Sequence, residues 1–101
     1  MTTIVTITTV DGDSKNVSTI NVGDVAQKHV LRSFNPAMKE DDRVGHLVDD
    51  TKVLCATIIQ RMMDLRDAPN STGPQKRAAS IAITQCEALQ MQAVKANFVQ
   101  A

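Results

Sequence analysis

Between Pro74 and Val99 the apolar side chains fall into two sets at helical spacing. Ala79, Ile83, Cys86, Leu89, Ala93 and Ala96 make one set, and Ile81, Ala88, Met91, Val94 and Phe98 the other. Residues three and four apart share a helix face, so the pattern predicts a long helix that must be covered on two sides. One cover lies in the same chain. Val44, Leu47, Val48, Thr51, Leu54, Cys55, Ile58, Ile59 and Met62 recur at threes and fours, which predicts a first helix from Asp42 to about Leu65 with Asp41 or Asp42 as its N-cap. Between the two, DAPNSTGPQ sets Pro69 and Pro74 around Asn, Ser, Thr and Gly. That stretch breaks the first helix, and Pro74 fits the opening turn of the second. The second apolar stripe then lacks a cover, and self-association is the expected remedy, because an exposed apolar patch of this kind marks an interface. Ala79, Ala82, Ala93 and Ala96 would let helices approach closely. Met62, Met63 and Met91 are expected as gap-fillers in the core.

Residues 2 to 22 follow a different period. TTIVTITTV, then Asp11-Gly12, then NVSTINV reads as strand, turn and strand, since β-branched residues favour the pleated conformation and Asp-Gly favours a tight hairpin turn. GDVAQKHVLRSF, from Gly23 to Phe34, fits either a short helix capped by Asp24 or a third strand. The expected fold is mainly α: a two-helix antiparallel hairpin with a small N-terminal β-hairpin, oligomeric. Residues 1–29 form the strand-rich segment and 30–101 the helical hairpin domain. At 101 residues, with two Phe and neither Trp nor Tyr, one small domain buries a modest core, which again favours assembly.

Charge excludes several functions. Eleven basic and eleven acidic side chains cancel, and no basic cluster stands out, so neither a nucleic-acid polymer nor a membrane is expected as a partner. MTTIVTITTV lacks the positive region of a signal peptide and reads as mature protein. Cys55 and Cys86 are too few and too far apart for a disulfide framework, which points to a reducing cytosol. With His29 and His46 they offer no C-x-x-C or H-x-x-x-H spacing, so no metal site and no cofactor are expected. Buried, inert thiols are the expectation for both cysteines. No activated nucleophile, paired carboxylates or Gly-rich phosphate loop stands out either. The chain reads as something other than an enzyme.

One of the two aromatic residues sits in an unusual place. Ser33-Phe34-Asn35-Pro36 puts Phe34 among polar and turn-forming residues at the entrance to the first long helix. It is either a hydrophobic staple closing over that helix or a platform kept clear for a flat ligand. Lys52, flanked by Asp49 and Asp50, is either a solvated lysine making i,i+3 contacts or a group that reaches an anion. Arg77, near the start of the second helix, divides the same way.

FNP, a polar spacer, VDDTKVLCATIIQRM, a loop and KRAASIAITQCEALQMQAVKA, in that order, resemble the hairpin domain of phage proteins that sequester cyclic-nucleotide immune signals. That family includes anti-CBASS and anti-Thoeris sponges, and the resemblance covers roughly residues 30 to 98. Its most specific pieces are Phe34-Asn35-Pro36, Lys52, and the stretch from Arg77 to Lys95 with Thr84 and the closing AVKA. The resemblance implies binding of cyclic dinucleotides, cyclic trinucleotides or glycocyclic ADP-ribose without cleavage, in a hexamer built from dimers, within the cytoplasm of the infected bacterial host. It also implies the ligand contacts. Phe34 would stack on a base, Asn35 would meet a base edge, Lys52 would reach a phosphate, and Arg43, Arg77 and Thr84 would add polar contacts. The strand-rich start looks more like the anti-Thoeris branch, and the short length is closer to the anti-CBASS branch. The chain departs from the pattern twice. Ala37-Met38 follows FNP where relatives often carry Ser-Gly, and Ala78 follows Arg77 where some carry Trp. The alternative function is that of a small structural or adaptor protein whose helical hairpin oligomerises without a ligand.

Overall fold

A computed structural model describes residues 2–32 and 43–97. Their elements run β1 (Thr3–Asp11), β2 (Ser14–Val22), α1 (Asp24–His29), α2 (Arg43–Asp67) and α3 (Gly73–Ala96). The chain is mainly helical, with two long helices and a two-stranded antiparallel hairpin. No helix among the described residues is long and apolar enough to cross a membrane.

The β-hairpin turns where the sequence places it. Asp11 pairs with Ser14 across Gly12-Asp13, and Gly12 has φ +60° while Asp13 stays out of the left-handed region. A two-residue turn with a left-handed glycine first has the twist that matches its strands. The turn also fixes which backbone groups point where. Pairs alternate along an antiparallel ladder, so Asp11, Thr9, Ile7, Val5 and Thr3 bond across to β2. Ile4, Thr6, Thr8 and Val10 turn their N–H and C=O groups to the opposite, outer edge of β1. Only the base of the hairpin meets the core. Ile20 and Val22 are buried and Val5 partly so, but Ile7, Val10 and Val17, nearer the turn, are exposed.

In the segment that begins at Gly23, Asp24–His29 is a helix, and its cap differs from expectation. Gly23, in extended backbone, is the N-cap and no side chain caps the turn, so Asp24 falls inside the first turn. The Gly23 N–H donates instead to Gln60 Oε1 at 3.0 Å, tying this corner to α2. At the other end of the hairpin, α3 starts with a full capping box. Thr72 Oγ1 accepts from the Gln75 N–H at 3.2 Å, the Thr72 N–H donates to Gln75 Oε1 at 2.8 Å, and Pro74 occupies the first turn.

One core joins all parts. Ile20 and Val22 from β2, Ala26 from α1 and Val30 at its C-cap, Cys55, Ala56 and Ile59 from α2, and Ile83 and Cys86 from α3 form a single cluster. Met62 and Met63 pack partly buried against it, as expected of gap-fillers. Met91 does not: it is exposed, so its core assignment is corrected. The apolar band of α2 is wider than the described elements beside it cover. Cys55 and Ile59 face inward, while Leu47, Leu54 and Ile58 stay exposed. On α3 the buried line is Ala79, Ile83, Cys86 and Gln90, and Leu89 is exposed. The 4-3-4 spacing keeps those four on one face, and Leu89 lies about a quarter turn from its centre. Of the second stripe, Ile81 and Ala88 are exposed together with Met91, while Val94 is half-buried. Phe98 lies outside the described residues. The radius of gyration is 15.4 Å, against about 12.7 Å for a compact domain of this length, so the protomer is drawn out.

Candidate functional site

The candidate site starts where α1 ends. The Arg32 N–H bonds to the Gln27 carbonyl at 3.0 Å and the Leu31 N–H to the Lys28 carbonyl at 3.0 Å. These are the two bonds of a Schellman motif, which requires a left-handed residue just past the cap, a position usually held by Gly. Leu31 holds it, at φ +55°. A left-handed leucine costs about 1–2 kcal/mol, so its surroundings must hold it in place.

They do so through side chains from three elements. Lys52 Nζ donates to the Leu31 carbonyl at 3.2 Å. Arg32 forks onto Asp49, with Nε to Oδ1 at 2.8 Å and one terminal nitrogen to Oδ2 at 3.1 Å. Its other terminal nitrogen donates to Thr3 Oγ1 at 2.8 Å and to Gln27 Oε1 at 2.9 Å, and Gln27 Nε2 donates to the Val22 carbonyl at 3.0 Å. One guanidinium therefore links β1, α1 and α2. The hydrogen bond to Asp49 raises the Arg32 pKa above its ordinary value, with burial opposing, so the cation persists at any working pH. Asp49 and Lys52, three apart on α2, grip successive residues of the chain as it leaves α1.

Phe34 and Asn35, with Pro36, Ala37 and Met38, lie outside the described residues. The described fold fixes both roots of their segment, at Arg32 on one side and Arg43 on the other. Of the other expected contacts, Lys52 stands at the first root and Arg43, exposed, begins α2 at the second. Arg77 and Thr84 are exposed on α3, on the face that carries Ile81, Ala88 and Met91. Arg77 is four residues past the start of α3 and Lys52 fifteen before the end of α2, so at about 1.5 Å per residue they stand roughly 16 Å apart along the hairpin. One protomer does not bring Arg77 to Lys52. Thr84 Oγ1 donates to the Ser80 carbonyl at 3.3 Å, one turn back in its own helix.

A shallow groove of about 280 Å³ lies beside this corner, lined by Val25, Lys28, His29, Leu31 and Glu87. His29 Nδ1 and Glu87 Oε1 are 3.1 Å apart across it, joining α1 to α3. Cys55 and Cys86 are buried and unlinked. Burial pushes both thiols up, and Cys86 adds to the effect on Cys55, so they are poor nucleophiles at neutral pH. Among the described residues no three His, Cys, Asp or Glu side chains gather where they would hold a metal ion.

Sequence reasoning missed Arg32. One of the two readings it left open for Lys52 was an i,i+3 contact, yet Asp49, the residue at that spacing, turns to Arg32. The available signal was a leucine followed by a cation where a short helix had to stop without Gly or Asn. Comparison with protein-family models, curated proteins and solved structures found no match for this chain.

Proposed function

We propose that the protein binds and sequesters a cyclic-nucleotide second messenger, a cyclic dinucleotide first of all, without cleaving it. It would act as a homo-oligomer in the cytoplasm of an infected bacterial host and blunt antiphage signalling. The observation that carries the reading is the strained, many-bonded root at Leu31-Arg32. A left-handed leucine held by Lys52, Arg32 and Asp49 fixes the backbone up to the residue before Ser33-Phe34-Asn35-Pro36, and anchoring the root of a recognition segment lowers the entropy lost on binding. The resemblance of FNP, Lys52 and the Arg77–Lys95 stretch supplies the ligand class. A two-fold dimer would offer one Phe34 and one Lys52 to each half of a ligand that is itself nearly two-fold symmetric. Phe34 would stack on the bases and Lys52 has donors left for a phosphate. The distance between Lys52 and Arg77 along one protomer leads the proposal to assign Arg77 and Thr84 to a site completed by another copy.

Native mass spectrometry after incubation with cyclic dinucleotides, cyclic trinucleotides and glycocyclic ADP-ribose tests the reading. Expected are complexes that survive desalting at a whole number of ligands per oligomer, with the ligand released intact on denaturation. Failure of all of them to bind, or release of linear product in excess of protein, would overturn it. The exposed Leu47, Leu54, Ile58, Ile81 and Met91 favour the second reading, a hairpin that assembles for structural reasons alone, and that reading predicts oligomers without any ligand.

A further inference from the structure

We propose that β1 is an assembly edge, pairing antiparallel with β1 of a second copy to give one four-stranded sheet in the order β2, β1, β1, β2. A two-stranded hairpin is marginal alone in water, and among the described residues the half of this one near the turn stays uncovered: Ile7, Val10 and Val17 are all exposed. Proteins guard exposed edges with charge, proline or a bulge. From Thr3 to Val10 this strand carries no charge and no proline, and its pairing with β2 runs unbroken without a bulge. β2 is the less suitable edge, because it is the strand that packs against α2 and it carries Lys15.

The register selects the occupant. Ile4, Thr6, Thr8 and Val10 present the outward backbone groups, so a partner strand must align those residues with its own outward set. Overlap of the full strand from Thr3 to Asp11 is centred on Ile7, and this register meets the requirement. It sets Ile4 opposite Val10 of the second copy, Thr6 opposite Thr8, and Ile7 opposite Ile7. Apolar pairs and Thr–Thr pairs are among the favourable cross-strand combinations. No like charges oppose each other. The one charged residue, Asp11, falls opposite Thr3 of the other copy, on the face where Thr3 Oγ1 receives the Arg32 guanidinium at 2.8 Å. Each end of the joined sheet thus brings a carboxylate to a cation, twice by symmetry. β1 is complementary to itself in hydrogen bonding, side-chain type and charge.

The test uses the full chain without ligand, so it stands or fails apart from the binding proposal. Paired residues at a non-hydrogen-bonded antiparallel position have Cα atoms about 4.5 Å apart, inside the range a disulfide spans. Ile7→Cys should therefore cross-link to a covalent dimer under mild oxidation, whereas Val5→Cys, which would face Thr9 of the other copy, should remain unlinked. Thr6→Lys with Thr8→Lys sets ammonium groups opposite one another and should at least halve the sedimenting mass. Thr6→Lys with Thr8→Glu sets opposite charges in the same places and should restore it. Equal cross-linking at positions 5 and 7, or unchanged mass in both charge variants, would overturn the proposal.

Discussion

Lys52 Nζ donates to the carbonyl of Leu31, twenty-one residues earlier, at 3.2 Å. The lysine that the sequence offers as a phosphate contact is thus part of the support for a left-handed leucine, and its ammonium is held at a residue three before Phe34 in the chain. Positioning and the proposed ligand attraction meet in one side chain.

Phe34→Ala and Lys52→Ala separate those contributions. If two Phe34 side chains stack on the two bases of a cyclic dinucleotide, losing roughly 1–3 kcal/mol per base weakens binding by about 30-fold to several thousandfold or more. That loss should persist at high salt. The Lys52→Ala loss should shrink as salt rises, since screening already weakens the attraction it removes. Calorimetric titrations at low and high salt read both effects. A Phe34→Ala protein that melts lower yet binds normally would assign Phe34 to a staple and end its role as a ligand platform.

Leu31 invites a test in which an exposed large residue is replaced by a small one. Leu31→Gly relieves the left-handed backbone, a gain of about 1–2 kcal/mol, set against roughly 0.4–1 kcal/mol from the freer unfolded chain. The melting temperature should therefore hold or rise slightly. Leu31→Val should lower it, because a β-branched residue tolerates positive φ worse than leucine. Thermal melts check both, and a clear loss in Leu31→Gly would show that the leucine side chain contributes contacts that outweigh its strain.

Arg32 and Asp49 should behave as a coupled pair. Both side chains are largely covered, and hydrogen bonds to a charged group contribute about 1.5–3 kcal/mol, so Arg32→Ala should lower the melting temperature, by roughly 4–8 °C per kcal/mol in a domain of this size. A double-mutant cycle with Asp49→Ala should return a coupling energy on the order of 1 kcal/mol or more. Additive effects would mean that the fork between them is decorative and that Thr3 and Gln27 hold Arg32 by themselves.

Much of the fold was legible because it rests on period. Thr and Val runs around Asp11-Gly12 gave the hairpin and its turn, and Pro69 and Pro74 bounded the break between α2 and α3. What periodicity cannot say is which side of a wide apolar band meets a neighbour. Leu54 and Cys55 are adjacent members of one band, yet Cys55 is buried and Leu54 is 62% exposed, and only the placement of the packed neighbours, α3 with α1 and β2, decides between them. Gln90 shows the converse, a polar residue only 3% exposed because it lies on the core line of α3. The candidate site was legible only as a list of side chains. Arg32 escaped notice because its four acceptors come from Thr3, Gln27 and Asp49, remote from one another in sequence.

The two core thiols give a pH dependence. Folding raises the pKa of Cys55 and Cys86, by burial first and for Cys55 by its charge coupling to Cys86. The folded chain therefore holds these protons more tightly than the unfolded chain, and stability must fall as pH rises. The contribution is complete below the ordinary thiol pKa of roughly 8.5 and is lost as pH climbs from there through the raised folded values. Chemical denaturation from pH 7 to 10 should show the decline, and Cys55→Ser with Cys86→Ser should flatten it. An equally steep decline in the double variant would assign the effect to other groups.

The shared core also sets an order of events during synthesis. Ile20 and Val22 leave the ribosome more than thirty residues before Cys55 and more than sixty before Ile83, with which they form one cluster. At about 5–20 residues per second the hairpin waits several seconds for the surface that covers its base. Through that interval TIVTITTV is a bare, uncharged strand, and any neighbouring nascent copy presents the same one. If β1 pairs with itself as proposed, a polysome making this protein concentrates matched edges before the helices that complete each protomer exist, and translation rate and message abundance would then influence how much of the product matures and how much is lost to premature pairing.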